Sequence, residues 1–342
     1  MKSLHFMEMG KMSDYLIKMH FSAPLRIGES GIGLEKTVEF PHSDTLFSAL
    51  CHAVLELEGE SVLHDFLVTF PDRPALIVSS CFPWIDDVYF LPKPMVYNRQ
   101  VGEKATAVQK KTLKSLNYLK VDHFALWCKD EPLSVANPEA VSEGQKFLAE
   151  LDEYKDYLQR LSIDYLTPRV ALDRASSASN LFSIGQRVFA ENAGLYFLLR
   201  LADDQNWERW QQIVTYLGEL GIGGERSSGF GRFTAEWIKP QGEWGKLLTN
   251  QGKRYFLAGL FHPEQDAIDL TDAQYQLLER RGWFWSRRTG VQMKRKTVWM
   301  FAEGSIFPVL PKGHLVDVKP DAWTGGESHP IFRNGLPFVL QI

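Results

Sequence analysis

The sequence predicts an α+β fold made of two ferredoxin-like (RRM-like) domains, the first with a long insertion. In residues 1–239, strand and helix patterns run in the order β-α-β, then an insertion at about 91–166, then β-α-β again. That order is typical of a ferredoxin-like split βαβ unit. In residues 240–342, further strand patterns follow a linker containing Pro240 and Gly242. They indicate a second, degenerate copy, although the two halves share no visible sequence identity.

Local periodicity predicts the first elements. Apolar and polar residues alternate over 15–21, which indicates a half-buried strand. Ser43 can cap a helix whose apolar side includes Leu46 and Leu50. The apolar run at 75–79 predicts the next strand.

The insertion at about 91–166 begins with proline and a run of lysines, which indicates an exposed hairpin or loop. Lys110, Lys111 and Lys114 lie in a stretch with little apolar periodicity, so we expect them to be poorly buried. A helix with one apolar side follows at 147–161.

A strand at 195–201, a helix with an apolar stripe at 207–220 and a strand at 233–237 complete the first domain. The runs at 255–261, 298–301 and 338–340 predict strands of the second domain.

One helix is expected in the second domain. Thr271 and Gln274 have the spacing of a capping box, and Gly282 could end the helix.

The most informative segment is a glycine-rich loop at 221–231, followed directly by Arg232. Over 221–232 it contains five glycines, two serines and two arginines, Arg226 and Arg232. Consecutive amides in such a loop can form an anion-binding nest, and arginine is a bidentate phosphate donor. The loop is not a Walker motif, because it lacks Gly-Lys-Ser/Thr and follows a helix. It predicts a cradle for a phosphate backbone; the alternative is a helix-to-strand turn without a ligand.

Composition excludes several classes of protein. The 342 residues contain no apolar run of about 18, so no membrane span is expected. Cys51, Cys81 and Cys128 are far apart, so we expect neither zinc nor disulfides, no metal or other cofactor, and a cytoplasmic location.

The net charge of −4 by itself argues against a nucleic-acid binder. Basic residues nevertheless cluster at 104–114 and 280–296. A locally basic surface on an acidic body is therefore expected, unless both clusters are ordinary solvated faces.

Further segments are similar to one known family. They are 27–35 (IGESGIGLE), 42–50 (HSDTLFSAL), 168–174 (PRVALDR) with 180–182 (NLF), 304–307 (GSIF) and 329–335 (HPIFRNG). Together with the glycine-rich loop, they make the chain resemble the fourth Csm subunit of type III-A CRISPR effector complexes, a member of the RAMP superfamily. The resemblance runs from about residue 16 to 342, whereas the loop alone would indicate only the superfamily.

This resemblance implies two ferredoxin-like domains packed together, with the insertion forming a thumb. It implies a subunit without catalytic activity that binds the repeat-derived 5′ tag of a guide RNA. The implied partners are a large polymerase-like subunit and a backbone RAMP subunit. The residues expected to contact RNA are Gly28, Gly31, Gly33, His42, Ser43, Lys110, Lys111, Lys114, Arg169, Arg174, Gly223, Gly224, Arg226, Ser227, Ser228, Gly229, Gly231 and Arg232. Asp44 and Thr45 adjoin this set and are expected to face RNA as well.

Two alternatives remain open. His42 lies between the first strand and the first helix, where guide-processing RAMP endonucleases place a general acid or base, so the chain could be a metal-independent endoribonuclease. Such cleavage also needs an activator of the 2′-OH and a stabiliser of the phosphorane charge. Tyr15 or Lys36 could fill one of these roles, but their spacing from His42 in the sequence does not favour either. The second alternative is an RRM-type single-strand binder, because 228–231 (SGFG) partly matches that motif; Arg232, however, stands where an aromatic residue is expected.

Overall fold

The computed structural model describes residues 12–28, 33–71, 73–96, 105–128, 146–173, 179–202, 206–264, 268–286, 288–324 and 328–342. The helices are α1 (Ser43–Glu58), α2 (Glu60–Thr69), α3 (Ala107–Ser115), α4 (Val121–Cys128), α5 (Leu151–Leu161), α6 (Trp207–Leu220) and α7 (Gly242–Leu248). The strands of the first half are β1 (Ser13–Phe21), β2 (Leu76–Val78), β3 (Phe82–Ile85), β4 (Val88–Pro92), β5 (Tyr118–Lys120), β6 (Ser162–Leu172), β7 (Ser179–Phe189), β8 (Ala193–Leu201) and β9 (Phe233–Ile238). The strands of the second half are β10 (Tyr255–Leu257), β11 (Leu277–Arg280), β12 (Trp283–Trp285), β13 (Gln292–Lys294), β14 (Val298–Phe301), β15 (Ile306–Phe307), β16 (Leu315–Asp317), β17 (Phe332–Asn334) and β18 (Val339–Gln341).

A seven-stranded antiparallel sheet forms the centre of the first half. Its strand order is β5-β4-β3-β8-β1-β9, and β2 also pairs with β8. β1 lies between β8 and β9, so that Ile17 is opposite Phe197 on one side and Trp237 on the other. Because side chains alternate along a strand, Ile17 and Met19 face one core and Leu16 faces another. The strands expected in this half at 15–21, 75–79, 195–201 and 233–237 are confirmed as β1, β2, β8 and β9.

Helices α1 and α6 cover one face of this sheet. Leu50 of α1 and Leu217 of α6 are buried in the same core, as their 3.6-residue periodicity predicts. Gly221 ends α6 with φ 78°. α1 begins at Ser43, but its N-cap is His42 and no side chain caps it, so the expected capping role of Ser43 is wrong.

The second half covers the other face of the sheet. A small sheet of order β15-β10-β18 belongs to it, and Phe256 and Phe338 share a buried cluster with Leu16 and Trp84 of the first half. The central strand β8 is therefore covered on both sides, and every residue in it except Arg200 is buried. Strands that are covered on both faces are apolar nearly throughout, which explains the composition of this strand.

The helix expected from Thr271 to Gly282 does not form. The chain turns at Asp272, where φ is 59°, and β11 follows, paired antiparallel with β14. Pairing with a distant strand therefore outweighs the local capping signal. Beyond α7, the described residues contain strands and no α-helix, so the βαββαβ order expected for a second ferredoxin-like domain is not seen there.

The insertion is not the exposed hairpin or loop that its lysines indicated. Its described residues form α3, β5, α4 and α5; β5 extends the central sheet, and Leu113, Leu119 and Tyr154 are buried in the core. The long exposed hairpin is instead β6–β7, a two-stranded sheet of its own that begins where the insertion was expected to end. Most β6 side chains are at least partly exposed on both faces, so this strand lacks the alternation that marks a half-buried strand.

Candidate functional site

Close backbone contacts hold the glycine-rich loop in place. Gly223 has φ 92°, and a Cβ there would lie 2.3 Å from the carbonyl oxygen of Arg26. Gly231 has φ 72°, and a Cβ there would lie 2.0 Å from the carbonyl oxygen of Ile222. Left-handed φ and such close approach both require glycine. The fold alone therefore explains these two glycines, as the alternative without a ligand expects.

The loop amides are largely engaged by carbonyl groups of the protein. Gly224 and Gly231 donate to the carbonyls of Arg26 and Pro24, each at 2.8 Å. Ser228 donates to a carbonyl within the loop at 2.9 Å. These amides do not form the open anion nest that the sequence indicated, because the protein already satisfies them.

The exposed donors of the loop are side chains. Arg226, Ser227 and Ser228 form a single exposed 3₁₀ turn, and Arg232 is exposed at the start of β9. Phe230 is buried, so its ring cannot stack on a base as in an RRM motif. Any phosphate binding here depends on the guanidinium and hydroxyl groups.

Three distant segments of the chain meet at this loop. Leu25, in the segment after β1, exchanges two backbone hydrogen bonds of 2.8 Å with Arg187 of β7. Gly185 of β7 donates to the carbonyl of Leu34 at 2.9 Å. The glycine-rich loop completes the arrangement through its bonds to Pro24 and Arg26. We refer to residues 22–28, 33–37, 185–187 and 221–232 as the junction.

Arg26 lies inside the junction and was not singled out from the sequence. It is only 7% exposed, and its Nη2 and Nε donate to the Leu34 carbonyl oxygen at 3.2 and 3.4 Å. Its Nη1 lies 3.0 Å from where a Cβ on Gly224 would be. Among the described residues, no carboxylate forms an ion pair with it. In the described part of the chain, the side-chain hydrogen bonds of Arg26 go to a backbone carbonyl, and a buried cation without a carboxylate partner favours an anion nearby.

His42 and Ser43 contact the second half of the chain. The His42 Nδ1 lies 2.8 Å from Glu303 Oε1, and the Ser80 hydroxyl donates to the same oxygen. Burial alone would raise the pKa of Glu303, but the imidazole and these hydrogen bonds outweigh it and lower that pKa. Ser43 is completely buried, and its Oγ accepts the Leu260 amide at 2.9 Å. The expectation that Ser43 contacts RNA is therefore not met, whereas His42 keeps some exposure.

Asp44 is the centre of a buried ion-pair cluster. Its carboxylate accepts hydrogen bonds of 2.9 and 3.0 Å from Arg280 and a further one from Arg333. Arg280 also donates to the Thr45 hydroxyl at 3.1 Å. Burial would raise the pKa of Asp44, but the two guanidinium groups outweigh it and hold the pKa well below its usual range. Asp44 thus joins α1 to β11 and β17 and does not face RNA as expected.

The three lysines lie far from the junction. Lys110, Lys111 and Lys114 are exposed, as expected, on α3, which leads into the edge strand β5. The glycine-rich loop leads into β9 at the opposite edge of the same sheet. Five inter-strand steps of about 4.8 Å place these edges roughly 24 Å apart. The lysines and the loop could only contact different parts of one RNA.

The remaining expected residues divide into three groups. Gly28, which forms a bridge to Thr37, and Gly33, with φ 102°, belong to the junction. Arg169 is half-buried on β6, away from the junction. Gly31 and Arg174 lie outside the described residues.

In the part of the chain that the structure describes, no group of three His, Cys, Asp or Glu residues could hold a metal ion. None of its helices is long and apolar enough to cross a membrane. Cys51, Cys81 and Cys128 are free, and burial raises the pKa of each thiol.

Comparison with known proteins finds similarity to Csm4 proteins. The family model of the CRISPR Csm4 C-terminal domain matches residues 250–342. The Csm4 protein of Thermococcus onnurineus (strain NA1) is 26% identical over 316 residues, which cover 89% of this chain and 92% of the relative. The Csm4 protein of Mycobacterium tuberculosis (strain H37Rv) is 24% identical over 315 residues, covering 91% and 92%. The chain is thus similar to Csm4 proteins along about nine-tenths of its length. The resemblance to a RAMP-superfamily Csm subunit is thereby confirmed.

Solved Csm4 structures share the fold. In the Csm3-Csm4 subcomplex of a type III-A CRISPR-Cas interference complex, the matching chain has a TM-score of 0.63 and 18% identity, with 96% of this chain and 99% of that chain covered. In a Csm1-Csm4 cassette with cA4, the TM-score is 0.57 and the identity 20%, with 97% and 98% covered. At these identities the matches establish a shared mixed α/β fold with antiparallel sheets.

Proposed function

We propose that this chain is a non-catalytic RNA-binding subunit of a type III-A CRISPR (Csm) interference complex. It binds the repeat-derived 5′ tag of the guide RNA and docks the large polymerase-like subunit onto the backbone RAMP subunit. Similarity to Csm4 proteins along most of the chain supports this proposal. Solved structures of relatives, in which Csm4 proteins are in complexes with Csm1 or with Csm3, support it as well.

We further propose that residues 1–239 form a ferredoxin-like RAMP domain. The strand order β9-β1-β8-β3, with α1 and α6 on one face, supports that assignment. We also propose that residues 240–342 form a second domain. Its described residues beyond α7 contain strands and no α-helix, so it would be a ferredoxin-like unit that has lost its helices.

The observation that carries the RNA proposal is the charge of the junction. Arg226 and Arg232 are exposed there, and the buried Arg26 belongs to the same junction. Ser227 and Ser228 add exposed hydroxyl donors on the same turn. Each nucleotide of RNA carries one phosphate charge, and guanidinium groups bind phosphate oxygens in pairs. Gly223 and Gly231 allow the backbones of the junction to approach one another closely.

The exposed hairpin β6–β7 supports docking onto another subunit. Leu166, Val170, Leu172 and Leu181 are aliphatic residues that it leaves largely exposed to solvent. Contiguous exposed apolar surface of this kind marks protein-interaction sites. We assign this surface to contact with the backbone RAMP subunit.

The alternative is a metal-independent endoribonuclease that uses His42. The specific observation in its favour is the contact to Glu303, because a carboxylate on one ring nitrogen fixes the tautomer of an imidazole. Pure protein incubated with repeat RNA in EDTA distinguishes the two functions. We expect intact RNA; site-specific cleavage that disappears in His42→Ala would establish the endoribonuclease instead.

The test of tag binding is the salt dependence of RNA affinity. Arg226→Ala with Arg232→Ala should weaken binding of the tag RNA and lower the log–log salt slope by about 0.7 for each lost phosphate contact. Lys253→Ala with Lys312→Ala is the matched control, because both lysines are exposed in the second half and the same net charge is removed. Equal affinity and slope in wild type and the arginine variant would remove the junction from the RNA site.

A further inference from the structure

A short hairpin in the second half presents two tryptophans to solvent. In the antiparallel pair β12–β13, Trp283 is opposite Lys294 and Trp285 is opposite Gln292. Trp283 is 56% exposed and Trp285 59%. Directly opposite residues share a face of a sheet, so these four side chains form one row. We refer to this row as the tryptophan face.

The other face of the hairpin is anchored in the protein. Phe284, between the two tryptophans, is buried, and its ring lies 5.0 Å from that of Trp323. The Ser286 Oγ lies 3.0 Å from His329 Nε2. The fold therefore holds the hairpin by one side and leaves both indoles outside. Large aromatic side chains are usually covered, so two neighbouring exposed ones indicate a binding surface.

We propose that the tryptophan face stacks unpaired bases of single-stranded RNA. Residues i and i+2 of a strand are about 6.6 Å apart. Stacked bases repeat every 3.4 Å or so, so the gap between the two indoles matches one base with a stacking distance on each side. The Lys294 Nζ lies 5.4 Å from the centroid of Trp283, where it can pair with the phosphate of a stacked nucleotide.

The chemistry of the row favours RNA over a protein partner. It combines two indoles with an amide and an ammonium group, and it contains neither a carboxylate nor an aliphatic side chain. Such a row suits the π-face and phosphate of any nucleotide. The β6–β7 hairpin, by contrast, exposes aliphatic side chains that suit a protein surface.

The tryptophan face shares no residue with the junction. Arg280, before the hairpin, binds Asp44 in the first turn of α1. Arg288, in the hairpin turn, lies 3.4 Å from Glu60, just beyond the end of α1. The hairpin region therefore lies alongside α1, a helix about 24 Å long. The inference rests on the proposed function in that RNA is the ligand, but it uses none of the residues of the junction.

The test measures binding of a labelled oligouridine of about 10 nucleotides to the full chain, within the span of about 4–16 that single-strand binding grooves cover. Trp283→Ala with Trp285→Ala should weaken binding roughly 10- to 100-fold and leave the salt slope unchanged, because stacking releases no counterions. Trp283→Phe with Trp285→Phe should retain most of the affinity. Lys294→Gln should lower the slope by about 0.7. Trp207→Ala, another partly exposed tryptophan, is the matched control and should bind as wild type.

Two outcomes overturn the inference. One is an alanine variant that binds the oligouridine as tightly as wild type. The other is a variant that keeps its RNA affinity but no longer co-purifies with the large subunit, which would make the tryptophan face a protein interface. Neither outcome affects tag binding at the junction, whose failure would instead appear as an unchanged salt slope in the Arg226 and Arg232 variant.

Discussion

The buried carboxylate of Asp44 should be a main link between the two halves, and Asp44→Asn tests this. The carboxylate is completely buried and paired with Arg280 and Arg333. Burial and repulsion by Arg333 lower the pKa of the neighbouring Arg295 to about 10, so the cluster already carries excess positive charge. Removing one partner of a buried ion pair costs about 3–5 kcal/mol, because the other charge stays buried without compensation. Urea denaturation should show this loss as a lower midpoint with an unchanged m-value.

Asp164→Asn is the matched control for this experiment. Asp164 also forms a bidentate ion pair with an arginine, Arg187, at 2.8 and 2.9 Å, but the Asp164 side chain is 53% exposed. Exposed pairs contribute about 0–1 kcal/mol. If Asp44→Asn lowers the free energy of unfolding by no more than the control does, Asp44 is not a main link between the two halves. Adding Arg333→Met to Asp44→Asn should recover part of the stability, since apolar groups of similar volume can replace buried ions.

Two further predictions concern the insertion. Changing Lys110, Lys111 and Lys114 together to Glu should lower the RNA content of the purified complex without unfolding the chain; normal RNA content would argue against RNA contact by α3. Burial lowers the pKa of His123, so the folded value lies below the unfolded value of about 6.5. Its contribution to stability is present above that pH and is lost as pH falls through the folded pKa. His123→Gln should therefore reduce the decline in unfolding free energy between about pH 7 and pH 5, and an equally steep decline in the variant would contradict this.

Local patterns predicted the core of the first half correctly. β1, α1, β8, α6 and β9 each bury one face or one stripe, so their periodicity is visible in the sequence. Gly221 ends α6, as helix ends favour glycine.

Contacts between distant residues could not be predicted. Asp44 and Arg333 are 289 residues apart, and His42 and Glu303 are 261 apart, so no local pattern links them. The sequence predicts Ser43 to be a helix cap and an RNA contact, whereas its hydroxyl accepts a hydrogen bond from the amide of Leu260. Arg26 looked like an ordinary loop arginine, and only the arrangement of three segments around it shows that it is buried.

The predictions of a helix beginning at Thr271 and of an exposed insertion are wrong for related reasons. Strand pairing of β11 with β14 replaced a helix that local residues favoured. In the insertion, Leu113 and Leu119 are buried in the core. The lysines around them obscure any apolar periodicity, so the sequence does not predict this burial. Tertiary packing decided both cases, as it commonly does for short elements with weak periodicity.

Photocrosslinking from the 5′ tag of the guide RNA in the assembled complex is the most direct test of the central claim. Each tag nucleotide would carry a photoreactive base in turn, and mass spectrometry would locate the crosslinked residues. We expect crosslinks in the junction, at 22–28 and 221–232, and near His42. Crosslinks from the tag that are confined to the second half of the chain, with none in the junction, would contradict it.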